Sequence, residues 1–242
     1  MAVTPDELAK QISAALPTEL KCVALYGSAA AGDFVQGKSN FNVLIIAEPL
    51  ALPQLDRLTK PLTAWHRAGH PMPLIFTPQQ LLQSASAFPI EMLDIQQSRR
   101  VLCGSDPLAD LQISPAHLHQ QVQRELNGKL LKLRNRYVLA AGKEATMAQL
   151  MLDSLSTFLV LFRAALRLQQ KQVPDVKMEA LRELQKYIAF DAKPFEALND
   201  YKLQPIKSRT APPAALFSSY FTAIESVTEA INCHTYPQQE KP

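Results

Sequence analysis

The chain has few cysteines: Cys22, Cys103 and Cys233, widely separated along 242 residues. They form neither a CxxC pair nor an even framework, so a cysteine zinc site and a disulfide scaffold are excluded and a reducing, cytoplasmic setting is expected. No apolar stretch reaches the 18 or more residues of a membrane span; the longest lies around Leu155–Phe162. Asp6 and Glu7 stand near the N-terminus with no apolar segment behind them, so no secretory leader and no membrane partner are expected. Strong charge is also lacking. The net charge is +3, too mild to imply nucleic-acid binding. It is unevenly spread, with 8 basic against 10 acidic residues up to residue 110 and 17 against 12 beyond. There is no internal repeat. What is plentiful is apolar surface: 47% hydrophobic against 19% charged residues gives one or two domains with a sizeable core and excludes wholesale disorder.

Pro and Ser/Thr punctuation divides the chain. Thr4-Pro5-Asp6-Glu7 reads as a helix start, with Thr as N-cap and Glu at the capping-box position, and that helix stops before Pro17. An apolar strand, Cys22–Tyr26, meets Gly27-Ser28, a short Ala-rich helix follows, and a turn at Gly37, Lys38 and Ser39 leads to a second strand, Val43–Ala47. A helix is expected over about 54–67, although Pro61 should start or kink it. Leu74–Thr77 reads as a third strand, Pro78-Gln79 as a helix start, and Met92–Gln96 with Arg100–Cys103 as a further strand or pair. Gly104-Ser-Asp-Pro107 is a turn signal, and strand signals vanish after it. Helices are then expected over 115–141, 144–171, 175–190 (with Asp175 as N-cap), 192–203 and 213–233, with Lys207–Pro213 a loop and Tyr236–Pro242 a polar tail. The second of these helices is apolar over much of its surface, which places it at the centre of a bundle. The fold class is therefore α+β: a small mixed sheet with flanking helices over residues 1–108, followed by an all-α bundle over 114–235.

The stretch Leu25–Ile46, LYGSAAAGDFVQGKSNFNVLII, resembles the nucleotidyltransferase superfamily, the DNA polymerase beta-like group. In that family a strand ends in Gly-Ser, a helix follows, and the next strand carries Asp-x-Asp. The resemblance is specific over roughly residues 20–105. The helical remainder is similar to two-domain members, such as antibiotic nucleotidyltransferases, on architecture alone. It implies nucleotide contact at Gly27 and Ser28, a helical part that helps form an acceptor pocket, and magnesium with a nucleoside triphosphate as cofactors. Two divalent ions clamp the attacking and leaving oxygens in such chemistry, and carboxylates at i and i+2 on a strand would hold them on one face.

Here both carboxylate positions are Asn40 and Asn42. An Asn offers a carbonyl oxygen but no charge. Many family members also have a basic residue shortly after the Ser, where this chain has Ala29, Ala30 and Ala31. Neither neighbouring acid rescues the site: Glu48 lies six residues beyond Asn42, about 20 Å along a strand, and Asp33 has no strand geometry to place it. The family's third carboxylate, the base for the acceptor, lies on a later strand. Glu91 and Asp94 have opposite strand parity, and the resemblance favours Asp94; the alternative is a solvated Glu91 with Asp94 paired to Arg99 or Arg100.

The expectation is thus a nucleotidyltransferase-fold protein with a degenerate metal site that binds a nucleotide or other small molecule in a regulatory role. The alternatives are an active metal-dependent transferase acting on a small molecule or a protein, and a protein-interaction scaffold whose partner the sequence does not name. His66 and His70, spaced i, i+4, could share a helix face as metal ligands, but Gly69 and Pro71 end the helix there and no third ligand stands near. Lys129, Lys132 and Arg136 form a stripe on the first bundle helix, readable as a phosphate-holding face or as a solvated one. No Arg-x4-6-His pair stands in the bundle, so the pattern of RNA-cleaving helical bundles is missing.

Overall fold

The structure is a computed structural model that describes residues 3–31, 40–140, 142–169, 172–204 and 214–233. It divides into two compact units, Met1–Ser114 and Pro115–Pro242. The first opens with helix α1 (Pro5–Ala15), capped as its sequence predicts, with the Glu7 N–H donating to Thr4 Oγ1 at 3.2 Å. Strand β1 (Leu20–Tyr26) leads into the single-turn helix α2 (Ser28–Ala31). Strand β2 (Asn42–Ala47), helix α3 (Leu52–Arg67) and the short strand β3 (Leu74–Phe76) follow. Helices α4 (Pro78–Ala87) and α5 (Pro89–Gln97) then precede strand β4 (Arg99–Gly104).

The sheet order is β3-β2-β1-β4, with β1 antiparallel to both neighbours and β2 parallel to β3. Because β1 and β2 are covered on both faces, their sequences are near-continuous apolar runs rather than alternating ones. On one face Val23, Leu25, Val43 and Ile45 pack on Leu8 and Ile12 of α1 and on Leu58, Leu62 and Trp65 of α3. On the other, Cys22, Ala24, Leu44 and Ile46 meet Leu81 and Ala85 of α4, Met92 and Ile95 of α5, and Leu108 and Leu111 from the chain after β4. The mixed sheet with flanking helices expected from the sequence is present.

One element differs. The segment Met92–Gln96, expected as strand, is the middle of helix α5. Pro89 sits at the first helical position, where its missing N–H costs nothing, Glu91 lies in the first turn, and Met92 and Ile95, three apart, share the buried face. The last sheet strand is β4 alone.

The second unit holds α6 (Pro115–Ala140), α7 (Glu144–Gln169), α8 (Lys177–Leu184), α9 (Lys193–Leu203) and α10 (Leu216–Cys233). Helix α8 starts later than expected, with Val176 rather than Asp175 as its N-cap; the Asp175 carbonyl accepts from Arg163 of α7 at 3.1 Å. As expected, α7 is central: Leu155, Phe158, Phe162, Ala165 and Leu166 are buried, and it packs against α6, α8, α9 and α10. By length and composition α7 matches a membrane span, with a mean hydropathy of 1.5, but half of that window is buried in the unit. An aromatic cluster organises its core, with Phe195 against Phe162 at 5.2 Å and against Tyr220 at 4.7 Å. Burial pushes the Tyr220 hydroxyl pKa up, and this neutral hydroxyl meets Ser154 Oγ at 2.9 Å. Residues 205–213 and 234–242, which include the expected loop and tail, lie outside the described residues.

Three carboxylates are held below their ordinary range by paired arginines. Arg57 draws Glu19 down to about 2, Arg99 lowers Asp106, and Arg136 lowers Asp153. A carboxylate that ionises more readily when folded adds stability at a pH above its unfolded value, roughly 4. That contribution is lost as pH falls through the folded value. The contribution of these three carboxylates to the urea midpoint should therefore hold steady from neutral pH to about 5 and drop between about 4 and 2. Arg57→Gln should flatten part of that drop, and an unchanged acid limb in this variant would remove Glu19 from the account.

Candidate functional site

Gly27 ends β1 and turns the chain into α2 with φ +77°, in the left-handed region where glycine is favoured. Its N–H donates to Ser98 O at 2.9 Å, tying the turn to the residue before β4, and its carbonyl accepts from Ala30 at 2.9 Å. A Cβ at this position would stand 3.2 Å from Asn42 Nδ2, so the Asn42 side chain lies directly against the turn. Gly27 and Asn42, two of the expected site residues, are therefore brought together. The backbone of Ser28 opens α2, beside the same turn. Ala29 and Ala30 pack on the core shared by α1, α3 and the sheet, which accounts for small apolar residues where a basic one was sought.

Strand β2 begins at Asn42, so the shared strand face expected for the Asn pair reaches Asn42 but not Asn40, which precedes the strand and is exposed. Between them Phe41 packs on Trp65 and His70, at ring-centroid distances of 6.3 and 5.1 Å. Glu48 lies at the far end of β2, its N–H on the Glu19 carbonyl. Asp33, Gly37, Lys38 and Ser39 lie outside the described residues.

Asp94 is on α5, half-buried, and its carbonyl accepts from Ser98 at 3.2 Å. The strand-parity argument that selected it over Glu91 no longer applies, because both residues are helical. In their place the sheet presents two side chains that sequence reasoning did not single out. Tyr26 lies opposite Asn42 on one side and opposite Arg99 on the other. Directly opposed residues of antiparallel strands share a face, so Asn42, Tyr26 and Arg99 form a row across the end of the sheet beside Gly27. Burial pushes the Tyr26 hydroxyl pKa up, which keeps it a neutral donor. Arg99 is clamped by Asp106: Nε to Oδ1 at 3.1 Å and to Oδ2 at 2.9 Å, and Nη2 to Oδ2 at 2.7 Å. Its Nη1 donates to the Gln96 carbonyl, and Gln96 Nε2 donates to the carbonyls of Leu108 and Leu111 at 2.9 and 2.8 Å. Arg99 is thus a fixed, largely neutralised cation. The sequence signal for this row is absent, since only strand register places the three together.

The four strands carry no Asp or Glu at all. Magnesium binds through carboxylates and phosphates, and a two-ion clamp needs several charged oxygens. An amide, a phenol and an arginine do not make that donor set, so the residues of the sheet do not fit a magnesium pair. No group of three or more His, Cys, Asp or Glu suited to a metal occurs among the described residues. His66 and His70 do not form a ligand pair either. Helix α3 ends at Arg67, His66 Nδ1 meets the His70 carbonyl at 3.3 Å, and the His70 ring lies 4.2 Å from Trp65.

In the second unit a cavity of about 580 Å³ is lined chiefly by Tyr137, Phe217, Phe221, Val138 and Met147, with the Arg134–Glu225 ion pair at 2.8 Å. Its volume lies in the range of small-molecule pockets.

No protein-family model and no curated protein sequence matches the chain. The mixed sheet with a Gly-Ser turn, followed by a helical C-terminal part, is the nucleotidyltransferase fold. Among solved structures the chain is similar to the spectinomycin adenyltransferase AAD(9) of Enterococcus faecialis, crystallised with ATP and spectinomycin. The TM-score is 0.55 at 12% identity, over 91% of this chain and 98% of that chain. At this identity the likeness establishes the fold.

Proposed function

We propose that this protein is a nucleotidyltransferase-fold pseudoenzyme that binds a nucleotide or related small molecule at the Gly27 turn and does not transfer a nucleotidyl group. The observation that carries this reading is the complete lack of carboxylates on the four described strands. A catalytic version of the fold needs acids at the end of β2 and a further acid on a neighbouring strand; here the first pair is Asn40 and Asn42, and β3 and β4 offer none. The Gly27 turn, with its positive φ, is retained. Ligand recognition would rest on the turn's backbone, on Ser28, and on neutral donors from Asn42 and Tyr26. The likeness to an adenyltransferase crystallised with ATP and spectinomycin supports a nucleotide, a small polar molecule, or both as the ligand.

The test is thermal stability of the full chain with a panel of nucleoside triphosphates, with and without magnesium. A ligand at 100 times its dissociation constant adds about 2.7 kcal/mol, several degrees for a chain of this size. An upward shift independent of magnesium is expected. A shift that requires magnesium, followed by release of pyrophosphate, would establish an active transferase instead. No shift with any nucleotide would leave the protein-interaction scaffold as the surviving reading.

A further inference from the structure

We infer that the groove between α6 and α7 is a separate anion site that takes a phosphate group of a small molecule. The groove encloses about 160 Å³. One wall is the α6 stripe of Lys129, Lys132 and Arg136, whose i, i+3, i+7 spacing puts all three on the same side. The other wall presents Asp153 and Thr157 of α7, and the floor is apolar, with Leu133 and Phe158.

The charge of the two walls does not balance. Arg136 donates to Asp153 Oδ2 at 2.8 Å, and that pair closes one end. Lys129 reaches back to Glu125 on its own helix at 3.7 Å, a loose contact. Lys132 has no ion-pair partner among the described residues. Its own helix has a single acid, Glu125, and α7 beyond Asp153 has none through Gln169. Helices α6 and α7 are joined by a short connection, so they run antiparallel, and stepping back along α6 from Arg136 to Lys132 matches stepping forward along α7 from Asp153 to Thr157. Lys132 and Thr157 thus line the same groove, and the carboxylate that shares it, Asp153, is held by Arg136. A solvated face would be expected to intersperse acids with these cations, as surface helices do; this one leaves a cationic, hydroxyl-bearing concavity over apolar side chains.

The occupant that fits is a phosphate. It supplies the negative charge that Lys132 has no partner for, can accept from an ammonium and from Thr157 Oγ1, and is compact enough for the cavity. A nucleic-acid strand would want an extended cationic track, whereas here Asp153 and Glu125 flank the stripe at both ends. The site lies within the second unit and does not depend on the reading of the Gly27 turn.

The test is calorimetric titration of the full chain with inorganic phosphate and pyrophosphate at low and high salt. Binding that weakens with salt is expected. Lys132→Gln should weaken it about tenfold or more, as expected for a lost charged hydrogen bond. Thr157→Val should weaken it less, and Asp153→Asn should tighten it by removing the one carboxylate in the groove. Lys132 and Thr157 are not core residues, and matching melting curves would confirm that these two variants fold. Two results would overturn the proposal: no binding of either anion, or binding that neither Lys132→Gln nor Asp153→Asn alters, which would put the anion elsewhere. Tight, steeply salt-dependent binding of a single-stranded RNA oligomer, with none of pyrophosphate, would replace the small-molecule site with a nucleic-acid surface.

Discussion

Replacing both asparagines, Asn40→Asp with Asn42→Asp, should give the protein a magnesium-dependent rise in melting temperature with nucleoside triphosphate that the native chain does not show. The reasoning is electrostatic. At about 4 Å and an effective dielectric of 20, two unit charges interact by about 4 kcal/mol. Each restored carboxylate therefore adds strongly to the attraction for a divalent ion at the end of β2. Even after desolvation, a tightening of magnesium-nucleotide binding by more than about tenfold, or 1.4 kcal/mol, is expected. The same change carries its own cost without metal, because two acids near one another repel. The variant should thus melt lower than the native protein in chelator and recover when magnesium is added. Transfer should not return, since β3 and β4 still lack a base. If the restored protein does transfer nucleotide, the base lies off the sheet, and Asp94 on α5 is the first residue to replace with Asn. A native chain that already shows magnesium-dependent binding and transfer sinks the pseudoenzyme reading.

The features that sequence reading captured are those set by local chemistry. Thr4-Pro5, Pro78 and Pro115 mark helix starts because an N-cap hydroxyl and a proline at the first position act within one turn; the capping role of Thr77, read as the end of a strand, was not seen. The Asn pair and the Ala run stood out because the stretch that holds them, Leu25–Ile46, resembles a sequence motif with fixed spacing. Helix α5 was not readable in the same way. Its apolar residues fit a short strand as well as a helix, and the choice rests on burial against Leu108 and Leu111, which follow the next strand. The row Asn42, Tyr26, Arg99 is a product of strand register alone, and nothing near Arg99 in sequence points to Tyr26. Likewise the Lys132 groove was legible as a stripe, but that the one acid of the facing wall, Asp153, is taken by Arg136 needed the pairing of α6 with α7.

Gly104→Ala should be among the most destabilising single substitutions in the first unit, costing at least about 3 kcal/mol, within the range of large strain effects. Gly104 ends β4 with φ +82°, opposite Cys22 at the edge of the turn that leads to Asp106. A Cβ there would lie 2.0 Å from the Lys21 carbonyl oxygen and 3.1 Å from Cys22 Cα. Those are backbone atoms in the central strand, so no side-chain rotation relieves the overlap. The Lys21 carbonyl also accepts the Ser105 N–H at 3.1 Å, and any shift of β4 that clears the Cβ breaks this bond. The control is Gly69→Ala. Gly69 has φ +93°, and a methyl placed there would meet nothing within 4 Å, so this variant isolates the backbone preference, about 1–2 kcal/mol. Urea unfolding of the two variants beside the native chain measures the difference. If Gly104→Ala costs no more than Gly69→Ala, the close approach of β4 to Lys21 is wrong. Because Ser98 and Arg99 at the other end of β4 hold the Gly27 turn and the sheet-end row, loss of β4 pairing should also abolish any nucleotide-dependent rise in melting temperature.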